Sequence, residues 1–175
     1  MVYRISLALI IAAGVVWLGA GAAPQSTPML PGSRPDIDAV HFTSIQAAID
    51  ALPESGGIVR LPAGTFDIET ALVIRHGDTH LIGAGTATHI RNLNKHGEPA
   101  LVIAHADHPR SGNSREHELW RVHLEAFRIT GSPDSGDGIV AHNVNEILVD
   151  RVSISEHGGN GLTLSFCYED PRIVA

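Results

Sequence analysis

The residues best equipped for chemistry gather in the last third of the chain. Asp134, Asp137, His142, Asp150, Arg151, Glu156 and His157 interleave acids with candidate bases over one short stretch. Abstraction of a proton beside a carboxylate needs a base, and a cation or donor to hold the charge that develops. Asp137, His142, Arg151 and His157 are therefore the catalytic candidates. Asp134 and Asp150 are the carboxylates expected to hold a metal ion, with calcium as the expected cofactor. The competing reading is that all of these are solvated turn residues.

A second group lies in the longest interruption of the apolar pattern, 104–118, which reads AHADHPRSGNSREHE. Loops this long between short elements are usually functional or disordered. His105, His108, Arg110, Arg115 and His117 would form a cationic wall against an acidic polysaccharide. Alternatively His105, His108 and His117, with Asp107, have donor types that suit a transition metal. A plain surface loop is the third reading. The remaining histidines, His41, His76, His80, His89, His96 and His123, form no motif along the sequence.

Several functions are excluded by what is missing. Gly83-Ala84-Gly85 lacks the third glycine and following helix of a phosphate cradle. Ser153, Ser155 and Ser165 have no nucleophile-elbow context. The formal net charge of −7 is not that of a nucleic-acid-binding protein. Cys167 is the one cysteine, so no intrachain disulfide forms. It sits in an apolar run, LTLSFCY, and reads as a small hydrophobe.

The elements that must position these residues are short. Aromatic content is 5% and glycine numbers 18, which favours many tight turns over an aromatic-rich sandwich. Residues 1–23 carry Arg4, an uncharged apolar run and small residues at 20–22, the pattern of a cleaved signal peptide. Export to a secreted or periplasmic location follows, with no membrane association after cleavage. Residues 24–40 begin Pro-rich and read as a tether. In 44–52, Ile45, Ala48, Ile49 and Leu52 share one helical face, Thr43 or Ser44 can cap it, and Pro53 with Gly56-Gly57 ends it.

Beyond the helix come runs of three to five apolar residues separated by polar turns, too close for intervening helices. Asp137-Gly138-Ile139 and Asn160-Gly161-Leu162 are 23 residues apart (160 − 137), with two more strand-like runs between them. Three short strands per period of this length predict one turn of a parallel β-helix. The expected fold is all-β: a right-handed parallel β-helix over 41–175, its helical cap at about 44–52 and its coils at about 57–175.

The words Ile45-Gln46-Ala47-Ala48-Ile49-Asp50, Gly56-Gly57-Ile58-Val59, Leu61-Pro62-Ala63-Gly64-Thr65-Phe66 and Leu81-Ile82-Gly83-Ala84-Gly85-Thr86 occur in that order. In them the chain resembles the pectate-lyase-like superfamily of right-handed β-helix proteins, nearest its epimerase-like, polygalacturonase-like and tailspike-like branches. The resemblance runs from Phe42 to about Phe166. It implies a secreted protein acting as a lyase or epimerase on a uronate-containing glycan, or a non-catalytic carbohydrate-binding or structural protein. In polygalacturonase-like members a word like Asp137-Gly138-Ile139 carries a catalytic carboxylate. The aspartate pair expected one coil later is replaced by Gly158-Gly159, so the two-carboxylate apparatus of glycoside hydrolysis is broken here. The chain stops just after a strand, which suggests a fragment or self-association through the open last coil.

Overall fold

Short β-branched runs bounded by glycine, asparagine and aspartate become strands, and every pairing between them is parallel. The computed structural model describes residues 30–107 and 115–175. The chain divides into Met1–Pro31, of which Leu30 and Pro31 are described, and Gly32–Ala175, which holds every element below. The leader read at residues 1–23 lies outside the described residues. Among those described, no helix is long and apolar enough to cross a membrane.

The largest sheet has eight strands. Its main path joins β1 (Asp36–Asp38), β2 (Gly57–Arg60), β5 (Thr79–Ile82), β9 (His123–Thr130), β12 (Leu148–Ser155) and β14 (Arg172–Val174). Two more strands, β3 (Gly64–Ile68) and β6 (Thr88–Asn92), join through β9. A four-stranded sheet holds β4 (Leu72–Ile74), β7 (Leu101–Ile103), β10 (Ile139–His142) and β13 (Leu162–Ser165). A two-stranded sheet pairs β8 (Leu119–Trp120) with β11 (Val144–Asn145).

The large sheet curls because of two residues. Both β9 and β12 are eight residues long, and each bends at a left-handed residue in mid-strand, Ala126 (φ 56°) and Arg151 (φ 53°). The first half of β9 pairs β5 and its second half pairs β6. Between β5 and β6 the chain turns at Gly83, where a Cβ would stand 2.4 Å from the Ala126 carbonyl oxygen. Only glycine lets the two backbones approach this closely.

Side chains alternate between the two faces along each strand. The inward rows are apolar: Val59–Leu81–Leu124–Val149 on one half of the curl, Ile90–Ile129 on the other, and Leu72–Leu101–Ile139 in the four-stranded sheet. All of these are buried, and Phe127 is the largest side chain without exposure. Rows of like residues stacked at about 4.8 Å form one continuous core.

The expectation of a right-handed β-helix solenoid under a helical cap is corrected by this arrangement. Separate short coils would give separate faces. Here β9 and β12 run unbroken through the bend, so strands expected on different faces belong to one curled parallel sheet. Nor does a helix close the stack. The helix α1 spans only Ile45–Asp50 and lies against β4. The edge of the large sheet is covered instead by β1, which comes from the segment read as a tether.

The local signals of that helix are nonetheless visible. The Ser44 hydroxyl accepts the Ala47 N–H at 3.0 Å, and Ile45, Ala48 and Ile49 are buried. Its Gln46 amide acts as a substitute strand: it accepts the Val73 N–H at 2.7 Å and donates to the Val73 carbonyl at 3.1 Å. The edge of the four-stranded sheet is thereby satisfied by a side chain.

Candidate functional site

The fold distributes the candidate catalytic residues over three places. Asp137 sits in the turn before β10, and both of its carboxylate oxygens are engaged. Oδ1 accepts the Asn160 N–H at 2.8 Å, and Oδ2 accepts the Thr163 hydroxyl at 2.5 Å. The Thr163 bond, opposed by burial and aided by Asn160, holds this carboxyl below the usual carboxylate range. A group so held is a fixed anion and a poor proton donor. Gly159 lies against it: a Cβ there would stand 2.1 Å from Oδ1.

His157 is near enough to Asp137 to feel its charge, but burial outweighs that and lowers its pKa. Its Nδ1 lies 3.5 Å from the Ser135 hydroxyl. It borders an open hollow with Gly131, Pro133 and Glu156. His142 belongs elsewhere, at the end of β10 beside Ser165, its ring edge-on to Phe166 with centroids 5.3 Å apart. Arg151 is on the large sheet, where its guanidinium pairs with Glu125 and, at 3.1 Å, with Asp150. Asp134 is exposed in the turn before β10, and its carbonyl accepts the Gly97 N–H. Asp134 and Asp150, the expected metal carboxylates, are on separate elements, and neither belongs to a donor cluster among the described residues.

In the long loop, His105, Asp107 and His117 converge, their ligand atoms within 4.8 Å of one another. The rings of His105 and His117 stack at 5.0 Å, and His105 Nδ1 accepts the Asp107 N–H at 3.1 Å. Arg115 opens the short turn that carries His117. His108 and Arg110 lie outside the described residues.

Two further groups stand on the outward face of the curled sheet, and neither forms a motif along the chain. On the half beyond the bend, the rows are Thr65–His89–Arg128–Ser153 and Asp67–Arg91–Thr130–Ser155. Arg91 grips Asp67 with two bonds of 2.6 Å. His89 Nε2 lies 2.8 Å from the Thr130 hydroxyl. Burial, and then the charge of Arg128, lower the His89 pKa, which favours the neutral ring. Among the described residues, Arg60, Arg91, Arg151 and Arg172 all form ion pairs; Arg128, on the same sheet, does not.

On the half before the bend, His80 and His123 are register partners. Their rings are stacked with centroids 4.1 Å apart and an interplanar angle of 9°. Glu125 stands two residues on from His123, on the same face. Its Oε2 lies 2.9 Å from His80 Nε2 and 3.7 Å from His123 Nε2. Neither contact has hydrogen-bonding geometry, and both Nε2 atoms are buried without a hydrogen-bond partner. A hydrogen bond is directional, so the 2.9 Å separation alone does not make one. Burial, then the neighbouring His80, lowers the His123 pKa.

No family model and no curated protein matches the sequence. Among solved structures, the fold is similar to "Geobacillus virus E2 - ORF18", with a TM-score of 0.65 and 22% identity over 73% of this chain. The chain spans 27% of the length of that protein. At this identity the likeness speaks for the fold alone.

Proposed function

We propose that this chain binds an acidic polysaccharide across the outward face of the curled sheet, without cleaving it. The observation that carries the reading is Arg128, a guanidinium with no ion pair among the described residues. It stands in a row with Thr65, His89 and Ser153. A carboxylated sugar offers what this row lacks, an anion for a two-pronged donor and hydroxyls for hydroxyls. A polymer laid across the strands meets a comparable polar group at each strand step. The formal charge of −7 disfavours long-range attraction, so binding here rests on short-range bonds. The leader-like residues 1–23 support an exported setting.

The non-catalytic form of the reading is supported by Asp137. A carboxylate committed to Asn160 and Thr163 is unsuited to proton transfer. The test is calorimetric or electrophoretic titration with polygalacturonate and alginate, with and without calcium, against a neutral glycan. Binding should be confined to the polyuronates, and Arg128→Ala should weaken it about tenfold or more, the loss of one charge-assisted bond. Arg128 is exposed, so the variant should fold normally. Equal binding by Arg128→Ala, or binding to none of the polyuronates, would overturn the proposal. Ultraviolet absorbance from unsaturated uronates would instead establish a lyase.

A further inference from the structure

We propose that His80, His123 and Glu125 form a binding site for a divalent transition-metal ion of the zinc class. The site is separate from the Arg128 rows and does not depend on them. Its three donors are brought near one another by the parallel register. His80 and His123 sit side by side on β5 and β9, and Glu125 follows on the same face of β9. Their ligand atoms lie within 4.8 Å of one another.

Three observations point to a metal. Both imidazole Nε2 atoms are buried without hydrogen bonds, which normally costs stability unless a partner is supplied. Both face the same carboxylate oxygen, Oε2, at 2.9 and 3.7 Å. The other oxygen, Oε1, is held by the guanidinium of Arg151. That pairing leaves Oε2 facing the two imidazoles and fixes the carboxylate's direction, as orienting partners do around bound metals.

The donor set selects the ion. Two imidazoles and one carboxylate suit zinc, cobalt or a similar ion, whereas calcium prefers oxygen ligands throughout. Because the cluster is on the outward face, a fourth position opens to solvent. Reaching ligand distance from this spacing requires the two stacked rings, now 9° from parallel, to rotate so that their Nε2 atoms converge. Arg151 is a positioning residue here.

The alternative is an imidazolium–carboxylate contact that needs no ion. Cobalt(II) titration of the full untagged chain separates the two, because tetrahedral cobalt absorbs visibly. Wild type should take up cobalt saturably with that absorption, and zinc should displace it. The double variant His80→Ala/His123→Ala should lose one equivalent and its absorption, with unchanged circular dichroism. Glu125→Gln, nearly isosteric, should weaken binding at least tenfold. Arg151→Ala should weaken it about ten- to a hundredfold. His105→Ala/His117→Ala should leave this equivalent intact. The proposal is overturned if wild type shows no saturable uptake. It is equally overturned if the His80/His123 double variant or Glu125→Gln keeps wild-type affinity and spectrum, or if only the loop double variant loses the absorption.

Discussion

Replacing Asp137 distinguishes a fastener from a catalyst. Its carboxylate ties the turn before β10 to the neighbouring strand β13, accepting the Asn160 N–H at 2.8 Å and the Thr163 hydroxyl at 2.5 Å. Hydrogen bonds to a charged group contribute about 1.5–3 kcal/mol each where water is excluded. Two such bonds would sum to about 3–6 kcal/mol; because Asp137 is only half-buried, water competes for them and the pair should be worth about 2–3 kcal/mol. Asp137→Ala should cost that amount in urea unfolding followed by circular dichroism. Asp137→Asn should cost about 1 kcal/mol, because one acceptor remains and the Thr163 hydroxyl can reverse. Combining Asp137→Ala with Thr163→Val should show coupling of at least about 0.5 kcal/mol.

Acid adds an independent check. The pKa of Asp137 is lowered in the fold, first by Thr163. A carboxyl with a lowered folded pKa contributes stability above its unfolded value, near 3.9, and loses it as pH falls through the folded value. The gap between wild type and Asp137→Asn should therefore narrow as the pH drops below about 4. A cost below about 0.5 kcal/mol for Asp137→Ala, within the range of ordinary surface substitutions, would refute this reasoning. So would a gap that stays constant into acid.

Two further stability predictions follow from the core and its edge. Gln46→Leu leaves the Val73 N–H and carbonyl without partners at the edge of the four-stranded sheet, and should cost about 2 kcal/mol with faster amide exchange at Val73. Phe127→Ala, at a fully buried position, should cost about 3–5 kcal/mol by thermal or urea unfolding, and Phe127→Leu distinctly less.

Much of the local structure was legible along the chain. The spacing of Ile45, Ala48 and Ile49 marked α1, and Ser44 caps it, although the helix is shorter than 44–52. Most of the apolar runs became strands, because alternation of side chains is a property of each run alone. Asp36–Asp38 was not legible as a strand. It carries two acids around one isoleucine, and its bond to the sheet comes from pairing with β2, reinforced by the Arg60–Asp36 ion pair at 2.8 Å. The unbroken path through Ala126 and Arg151 was equally hidden. Neither residue announces a left-handed bend in the way glycine or asparagine would. That bend is what turned an expected set of separate coils into one curled sheet.

The candidate sites divide along the same line. The group read along the loop was His105, Asp107, His108 and His117; three of these lie together and His108 is outside the described residues. His80, His123 and Glu125 were passed over because His80 and His123 acquire each other only through the pairing of β5 with β9.

By itself, then, the sequence determined where the chain turns, which runs extend, and which face of each run is apolar. These depend on neighbours along the chain. The tertiary structure alone decided which outward side chains share a row. Parallel register joins strands distant in sequence, and a slip of one residue would turn every one of those side chains to the other face.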